Sequence, residues 1–151
     1  LVLAREDLTN QVEGRVFRRK TCSAVYRFLL KEVFCKYGCV GQVIADRGEL
    51  DSDQDREFFT KHGVWLTLTA AYNPETNGKI KRGDSPIVKA LAKACNGRVQ
   101  YWPQMLPYAL WVDRTTHSSV TGYMPTELMS GQAPVMPTET AIATWIVLPW
   151  K

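Results

Sequence analysis

Long apolar runs, a leader segment and paired cysteines are all missing from this sequence. No apolar run approaches the roughly 18 residues of a membrane-spanning helix, and the chain does not open with a charged segment followed by an apolar one, as a secretory leader does. The four cysteines have no Cys-x-x-Cys spacing, and the two histidines supply no ligands at zinc-site spacing. These absences argue against membrane, secreted and zinc-binding classes. They predict a reducing, intracellular setting in which the cysteines pack as small apolar side chains.

The composition that is present is that of one globular domain. The chain has 151 residues, of which 45% are hydrophobic and 23% charged, enough to bury a sizeable core against the entropy of ordering the chain. Its first residue, Leu1, lies inside an apolar segment that predicts a strand, so we expect the chain to be a fragment of a longer protein.

The net charge of +4 is divided unevenly along the chain. Residues 79–98 contain six basic residues and one acid, a net of +5, whereas residues 46–57 contain six acids and two arginines, a net of −4. An acidic run followed by a basic run fits a cation site beside a polyanion site, and it equally fits two solvated faces.

Hydrophobic periodicity and turn residues predict strands that are followed by helices. The predicted strands lie at 1–4 and 12–17, as a hairpin, at 43–45, as a buried strand that ends at Asp46, and at 64–69. The predicted helices run from 22 to 37 behind a Thr21 cap, from Asp51 or Ser52 to about 62, from Ser85-Pro86 to Asn96-Gly97, over 102–111 and over 126–129. This order predicts an α/β or α+β layered core over 1–131, and the three prolines after Gln132 predict an extended strap over 132–151.

Asp46 is the first candidate for chemistry. It follows a short apolar strand, and open α/β sheets bind ligands at the carboxyl ends of their strands. The alternative is a turn aspartate that accepts hydrogen bonds from its own backbone.

Several further motifs follow Asp46 in order. They are Asp46-Arg47-Gly48-Glu49, Tyr72-Asn73-Pro74-x-x-Asn77-Gly78-Lys79-Ile80-Lys81-Arg82, Thr115-Thr116-His117-Ser118-Ser119-x-Thr121-Gly122-Tyr123-x-Pro125-x-Glu127-Leu128, Gln132-x-Pro134-x-x-Pro137 and Leu148-Pro149-Trp150. Together they resemble the integrase catalytic core of gypsy-type long-terminal-repeat retrotransposons, over essentially the whole chain.

That resemblance implies a fold and a chemistry. The family has a ribonuclease-H-like fold, a mixed sheet flanked by helices, and its members are nuclear enzymes of transposable elements that cut and join DNA. These polynucleotidyl transferases use two Mg²⁺ or Mn²⁺ ions held by two aspartates and one glutamate. Hard cations prefer such oxygen ligands. The resemblance assigns Asp46 to the second aspartate.

Two departures from the family argue against catalysis by this chain. Lys81 stands at the position of the family's glutamate, and an ammonium group has no lone pair for a metal and repels cations. In the family, the strand that carries the first aspartate comes before the strand that here begins at Leu1. The given sequence does not include that strand. Glu49 and Asp84 are possible substitute ligands, but a helix that restarts at Ser85-Pro86 weakens the case for Asp84.

The first strand of the family is central in its sheet, between the hairpin and the strand that ends at Asp46. Without it, two strand edges with unpaired backbone groups face a gap. We therefore expect the isolated fragment to be poorly stable or prone to aggregate.

The basic segment predicts contact with DNA phosphates. The residues expected to bind DNA are Asn77, Lys79, Lys81, Arg82, Lys89 and Lys93. Two function classes remain open: a metal-dependent DNA-processing enzyme, and a non-catalytic DNA-binding or assembly remnant with a degenerate site. A solvated helix face is the alternative explanation of the charge.

Two other patterns have structural interpretations. Asp51-x-Asp53-x-Asp55 resembles the start of a calcium-binding loop, but Arg56 replaces its glycine, so a solvated, capped helix start is predicted. The aromatic residues Trp102, Tyr108 and Trp111 predict a buried helix face or the contact face of a homodimer.

Overall fold

A β-hairpin opens the chain. The computed structural model describes residues 1–46, 50–69 and 74–136, with the backbone alone over 74–84. Strand β1 (Val2–Arg5) pairs antiparallel with β2 (Val12–Arg15). The Glu6 carboxylate accepts hydrogen bonds from backbone N–H groups of the connecting turn, and Asn10 closes it at a φ of 62°. Polar turn residues thus fix the register of the hairpin.

The first helix has the predicted extent but not a uniform geometry. Helix α1 (Cys22–Phe28) begins behind Thr21, whose side chain accepts from the N–H of Ala24. A π-helical turn (Leu29–Phe34) follows, and α2 (Cys35–Tyr37) ends at Gly38, whose φ is 88°. The cap acts as predicted, and a glycine at positive φ ends the helix.

Two parallel strands follow on either side of a short helix. Strand β3 (Gln42–Asp46) pairs with β4 (Trp65–Thr69). Between them, Ser52 caps α3 (Asp53–Lys61) in a reciprocal capping box with Asp55. Of the two predicted caps, Asp51 and Ser52, the structure selects Ser52.

The fourth helix corrects the sequence prediction. Helix α4 runs without a break from Pro74 to Cys95 and contains Pro86, so the predicted start at Ser85-Pro86 is wrong. A proline inside a helix costs about 3 kcal/mol, but Ile87 and Leu91 just beyond it are buried against α5. Tertiary packing thus overrides the local stop signal.

The last helices complete the described part of the chain. A 3₁₀ turn (Val99–Tyr101) leads into α5 (Trp102–Thr115), and α6 (Pro125–Ser130) follows. No helix among the described residues is long and apolar enough to cross a bilayer. Of the predicted strap, only 132–136 falls within the described residues.

Two apolar clusters hold these elements together. The first is centred on α1, α3 and the π turn, with Phe28, Phe59 and Val25 as central members. The second joins β2 to α4 and α5 through Val12, Ile87, Leu91, Leu106, Ala109 and Leu110. The first cluster touches both pairs of strands, because Val2 and Ala4 of β1 and Val43 and Ala45 of β3 pack against it.

In the described residues the strands form two separate two-stranded sheets and not one mixed sheet. One sheet is β1–β2 and the other β3–β4, and no ladder joins β1 to β3 although both rest on the first cluster. This arrangement agrees with the layered α+β prediction.

Burial corrects three smaller predictions. Only Cys95 is buried, while Cys35 and Cys39 are exposed. The described residues cover strand β3 on one face, and on the other face Ile44 is half exposed. On α5 the buried side is Leu106, Ala109 and Leu110, which leaves Tyr108 and Trp111 64% and 42% exposed. For those two aromatics, burial within the chain was the wrong interpretation.

Candidate functional site

Asp46 is the last residue of β3, as predicted. The parallel register places it opposite Thr69, the last residue of β4. Asp46 is exposed, Thr69 is buried, and the Thr69 hydroxyl donates to the Asp46 carboxylate across 2.9 Å. One carboxylate oxygen is thereby held in place, while the group still faces solvent. Thr69 was not singled out from the sequence, because its partnership with Asp46 depends on strand register.

Chain connectivity brings the starts of several helices to the same end of the molecule as Asp46. The chain turns after β2 and enters α1, which packs against both sheets and leads to the opposite end of the molecule, where β3 starts. β3 runs back in the reverse direction. Its last residue, Asp46, therefore lies at the end of the molecule where α1 begins. Because β4 is parallel to β3, α4 also begins at this end.

A buried carboxylate supports this end of the fold. Asp55 of α3 is 1% exposed, and it accepts hydrogen bonds from the hydroxyls of Tyr26 and Ser52. Burial favours the neutral form of Asp55, but the hydrogen bonds from Ser52 and Tyr26 outweigh it and lower the pKa of the carboxyl. Burial and the hydrogen bond to Asp55 raise the pKa of Tyr26. The predicted solvated helix start is therefore wrong for Asp55, which is a structural group.

The proposed metal ligands are only partly described by the structure. Glu49 lies outside the described residues, and the side chain of Asp84 is not described. In the part of the chain that the structure covers, no group of three His, Cys, Asp or Glu side chains could hold a metal ion. Asp46 alone, with one oxygen already accepting from Thr69, does not provide the shared carboxylates that a pair of divalent ions needs.

The continuous α4 removes one argument against Asp84. Because no new helix starts at Ser85, Lys81 and Asp84 belong to one helix and are three positions apart, on neighbouring turns. The assignment of Lys81 to the position of a metal-binding acid stays a prediction of the resemblance.

Helical spacing separates the basic positions of α4 from its buried side. At 100° per residue, positions 79, 82, 89 and 93 fall within about 80° of one another. Lys89 and Lys93 are exposed, whereas Ile87, Leu91 and Cys95 are buried on the opposite side. Positions 77 and 81, which were also predicted to bind DNA, fall nearer the buried side. Helical spacing thus groups positions 79, 82, 89 and 93 and sets positions 77 and 81 apart.

Comparisons with known proteins agree on one kind of relative. No family model matches the chain. The Pro-Pol polyprotein of feline foamy virus is 28% identical over 88 residues, 58% of this chain. The Gag-Pol polyprotein of feline leukemia virus is 28% identical over 138 residues, 90% of this chain. The chain spans only 8% of the length of either polyprotein.

Solved structures give the same result. The chain matches a simian T-cell lymphotropic virus intasome at a TM-score of 0.76 and 19% identity, over 89% of this chain and 50% of that one. The catalytic core domain of BIV integrase matches at 0.69 and 23%, over 84% and 82% of the two chains. That of HTLV-2 integrase, solved with magnesium, matches at 0.66 and 16%, over 83% and 80%. The fold is that of a retroviral integrase catalytic core.

The integrase-core fold confirms the fold that the sequence motifs predicted. The relatives are viral polyproteins and viral integrases, so the assignment to gypsy-type retrotransposons stays a prediction. Within this fold, Asp46 stands at the end of a parallel strand.

Proposed function

We propose that this chain is an integrase-core fragment that binds DNA without sequence preference and does not by itself catalyse strand transfer. The observation that carries the proposal is the separation of charge on α4. At helical spacing, positions 79, 82, 89 and 93 of α4 share one side, opposite the buried Ile87, Leu91 and Cys95. In a straight helix, positions 79 and 93 are about 21 Å apart along the axis.

A row of positive charges on one side of a helix suits the phosphate backbone of DNA. Duplex DNA carries one negative charge per roughly 1.7 Å of its axis, and lysine and arginine contacts to phosphates release counterions. These contacts hold DNA without reading its sequence. Binding of this kind weakens steeply as salt rises.

The lack of strand transfer rests on the carboxylates. Two divalent ions in an integrase site activate the attacking oxygen and stabilise the leaving oxygen. Asp46 is the one predicted ligand whose side chain the structure describes, and Lys81 brings positive charge to the position of another. Loss of one member of a metal-ligand set commonly removes most of the activity.

DNA binding is tested by fluorescence anisotropy of a labelled duplex of 30 base pairs. We expect Lys89→Gln with Lys93→Gln to weaken binding about fivefold or more, and to reduce the slope of log Kd against log salt by about two. Arg56→Gln with Lys61→Gln is the matched control, because it removes two exposed charges from α3. Equal losses in both double variants would contradict a DNA surface on α4.

The second candidate function is a metal-dependent DNA-processing enzyme. One observation favours it: the unbroken α4 keeps Asp84 on the same helix as Lys81, about one turn away. Asp84 would then replace the missing acid as a ligand. Strand-transfer activity that depends on Asp46 would distinguish this enzyme from the DNA-binding remnant.

A further inference from the structure

The outer edge of β4 has no partner strand among the residues that the structure describes. The order of this sheet is β3–β4, so β4 is paired on one side alone. The Trp65 N–H donates to the Gly41 carbonyl across 3.0 Å, and the parallel register continues this pattern at every second residue. The N–H and C=O groups of Leu66 and Leu68 therefore point away from β3. These four backbone groups are open to a further strand.

This edge lacks the features that commonly keep edge strands apart. Natural sheets protect an edge with lysine, proline or a bulge. From His62 to Pro74 the sequence contains no Asp, Glu, Lys or Arg. The strand Trp65–Thr69 itself consists of tryptophan, leucine and threonine, and its register with β3 is regular. An uncharged edge of this composition is a site where another strand is expected to add.

An apolar groove lies beside the edge. The described residues that line it come from α3, from β4 and from the turn between them, and none comes from β3. The groove is therefore on the outer side of β4. Its charged lining residue, Arg56, already pairs with Asp51 across 3.2 Å. Its apolar lining is Phe59, Val64, Leu66 and Leu68.

The geometry of the edge fits the same strand of a second copy. In an antiparallel pair, residues whose backbone groups face each other exchange two hydrogen bonds. When two β4 strands meet around Thr67, Leu66 of each lies opposite Leu68 of the other, and both pairs exchange their bonds. The same register places Trp65 opposite Thr69, an aromatic and β-branched pair of the kind that stabilises antiparallel strands. A two-fold axis thus satisfies all the open groups of both edges at once.

Electrostatics also favours a second copy. Two identical surfaces bring identical charges together, so self-pairing is disfavoured wherever the shared edge is charged. Here the edge carries no charge over its whole length. Trp65 is 78% exposed, and burial of part of this side chain in each copy adds apolar contact to the backbone bonds.

The size of the contact indicates a weak dimer. The five residues of β4 extend over about 17 Å, and a sheet layer with the helix layer packed on it is about 20 Å thick. The strip in contact is then about 340 Å² per copy, or about 700 Å² in total, which is below the roughly 1,200 Å² of a standard interface. We therefore expect a reversible dimer with a Kd on the order of 10–100 µM.

We infer that the outer edge of β4 binds the same edge of a second copy of this chain, as an antiparallel pair centred on Thr67. The pairing joins two β3–β4 pairs into one four-stranded sheet. It is separate from the homodimer predicted from the aromatic residues of α5, because it uses β4 and the neighbouring side of α3. It is also independent of DNA binding by α4.

A charge exchange at Thr67 tests the pairing. The Thr67 side chain is exposed and lies directly opposite Thr67 of the second copy. Sedimentation velocity of the full chain at about 10 to 500 µM compares Thr67→Lys, Thr67→Glu and their equal mixture. Each variant alone should raise the Kd of the dimer about fivefold or more, because like charges face each other. The mixture should restore association, because the charges are then opposite.

Gln42 provides the matched control. Its side chain is exposed on the same face of the sheet and donates to the Thr67 hydroxyl across 2.7 Å, so its replacement removes the same hydrogen bond. It lies on the outer strand of the four-stranded sheet, farther from its own copy than a Debye length of about 8 Å. Gln42→Lys, Gln42→Glu and their mixture should therefore associate alike. Equal circular dichroism spectra check that each variant is folded.

Three outcomes would overturn the inference. The first is a mixture of the two Thr67 variants that sediments as each variant does alone. The second is an unmodified chain that stays monomeric at about 500 µM. The third is complete loss of association in Trp111→Lys, because α5 would then form the dimer by itself. None of these outcomes alters the test of DNA binding by α4, so the proposed function is judged separately.

Discussion

The two strand pairs of this molecule are held in different ways. The β1–β2 hairpin is packed on both faces, since Val2 and Ala4 contact the first cluster and Leu3 and Val12 belong to the second. Among the residues that the structure describes, the β3–β4 pair is packed on one face only, and its other face exposes Ile44 and Trp65. The hairpin is therefore the strand pair that joins the two clusters, while the parallel pair holds Asp46 on an exposed surface.

Polar contacts follow the same division. At the hairpin, Glu13 is buried and accepts hydrogen bonds from Tyr37 across 2.6 Å and from Arg114 across 2.8 Å. At the parallel pair, Asp46 is exposed and accepts from Thr69. Buried charge is expensive unless it is paired, so the hairpin network fixes α5 in place, whereas Asp46 remains available to a ligand.

The largest effect is expected at Phe28, the fully buried ring of the first cluster. Phe28→Ala should lower the free energy of unfolding by about 4 kcal/mol, because a large cavity is left. It should also loosen both strand pairs, since both pack on this cluster. Leu110→Ala, the matched truncation in the second cluster, should loosen the hairpin alone. Hydrogen exchange of the backbone amides in each strand distinguishes the two variants. Unchanged protection of β3–β4 in Phe28→Ala would contradict the claim that the first cluster supports both strand pairs.

The next effect is expected at Arg114. Its guanidinium donates to the Val12 carbonyl across 2.7 Å and to Glu13. Arg114→Met should lower the free energy of unfolding by about 3 kcal/mol, because Glu13 would lose a partner while buried. Urea denaturation measures this loss. The double variant with Glu13→Gln should recover part of it, and no recovery would argue against the charge as the cause.

A smaller effect is expected from pH, at Asp55. A folded-state pKa below the ordinary value of 3.8 means that the ionised carboxylate stabilises the fold above that pH. This stabilisation is lost as pH falls through the lowered pKa. Asp55→Asn should lower the free energy of unfolding at neutral pH by about 1–2 kcal/mol. It should also reduce the loss of stability at acidic pH. Thermal unfolding over a pH series measures both effects. Asp53→Asn, in the same turn but exposed, is the control, and an equal flattening there would contradict the assignment.

The smallest effects on stability are expected at two partly exposed apolar side chains, Ile44 of β3 and Trp111 of α5. Ile44→Lys and Trp111→Lys should each lower the free energy of unfolding by about 1 kcal/mol, because the lysine stem replaces part of the lost apolar contact. Self-association should nevertheless fall, because charge blocks edge pairing of β3 in the first variant and a homodimer through α5 in the second. Sedimentation velocity compares the self-association of each variant with that of the unmodified chain. A monomeric chain with one cooperative thermal transition would contradict both routes of association.

The sequence predicted most elements, because their signals are local. Thr21, Gly38 and Asn96-Gly97 mark helix ends through their own conformational preferences, and these ends are where they were expected. Pro86 misled for the same reason: it is a local stop signal that buried Ile87 and Leu91 override.

The site was less predictable, because its contacts join distant parts of the chain. Asp46 could be identified from a short strand and a turn, but Thr69 became visible only through the register of β3 and β4. Asp55 looked solvated because its partner Tyr26 lies 29 residues away.

The most direct test of the account is Mg²⁺-dependent strand transfer on end-labelled DNA, run under salt conditions in which the chain binds the same DNA. The account predicts binding without transferred product, and no difference between the unmodified chain and Asp46→Asn. Product that disappears in Asp46→Asn would contradict it, because the chain would then be an active integrase despite Lys81.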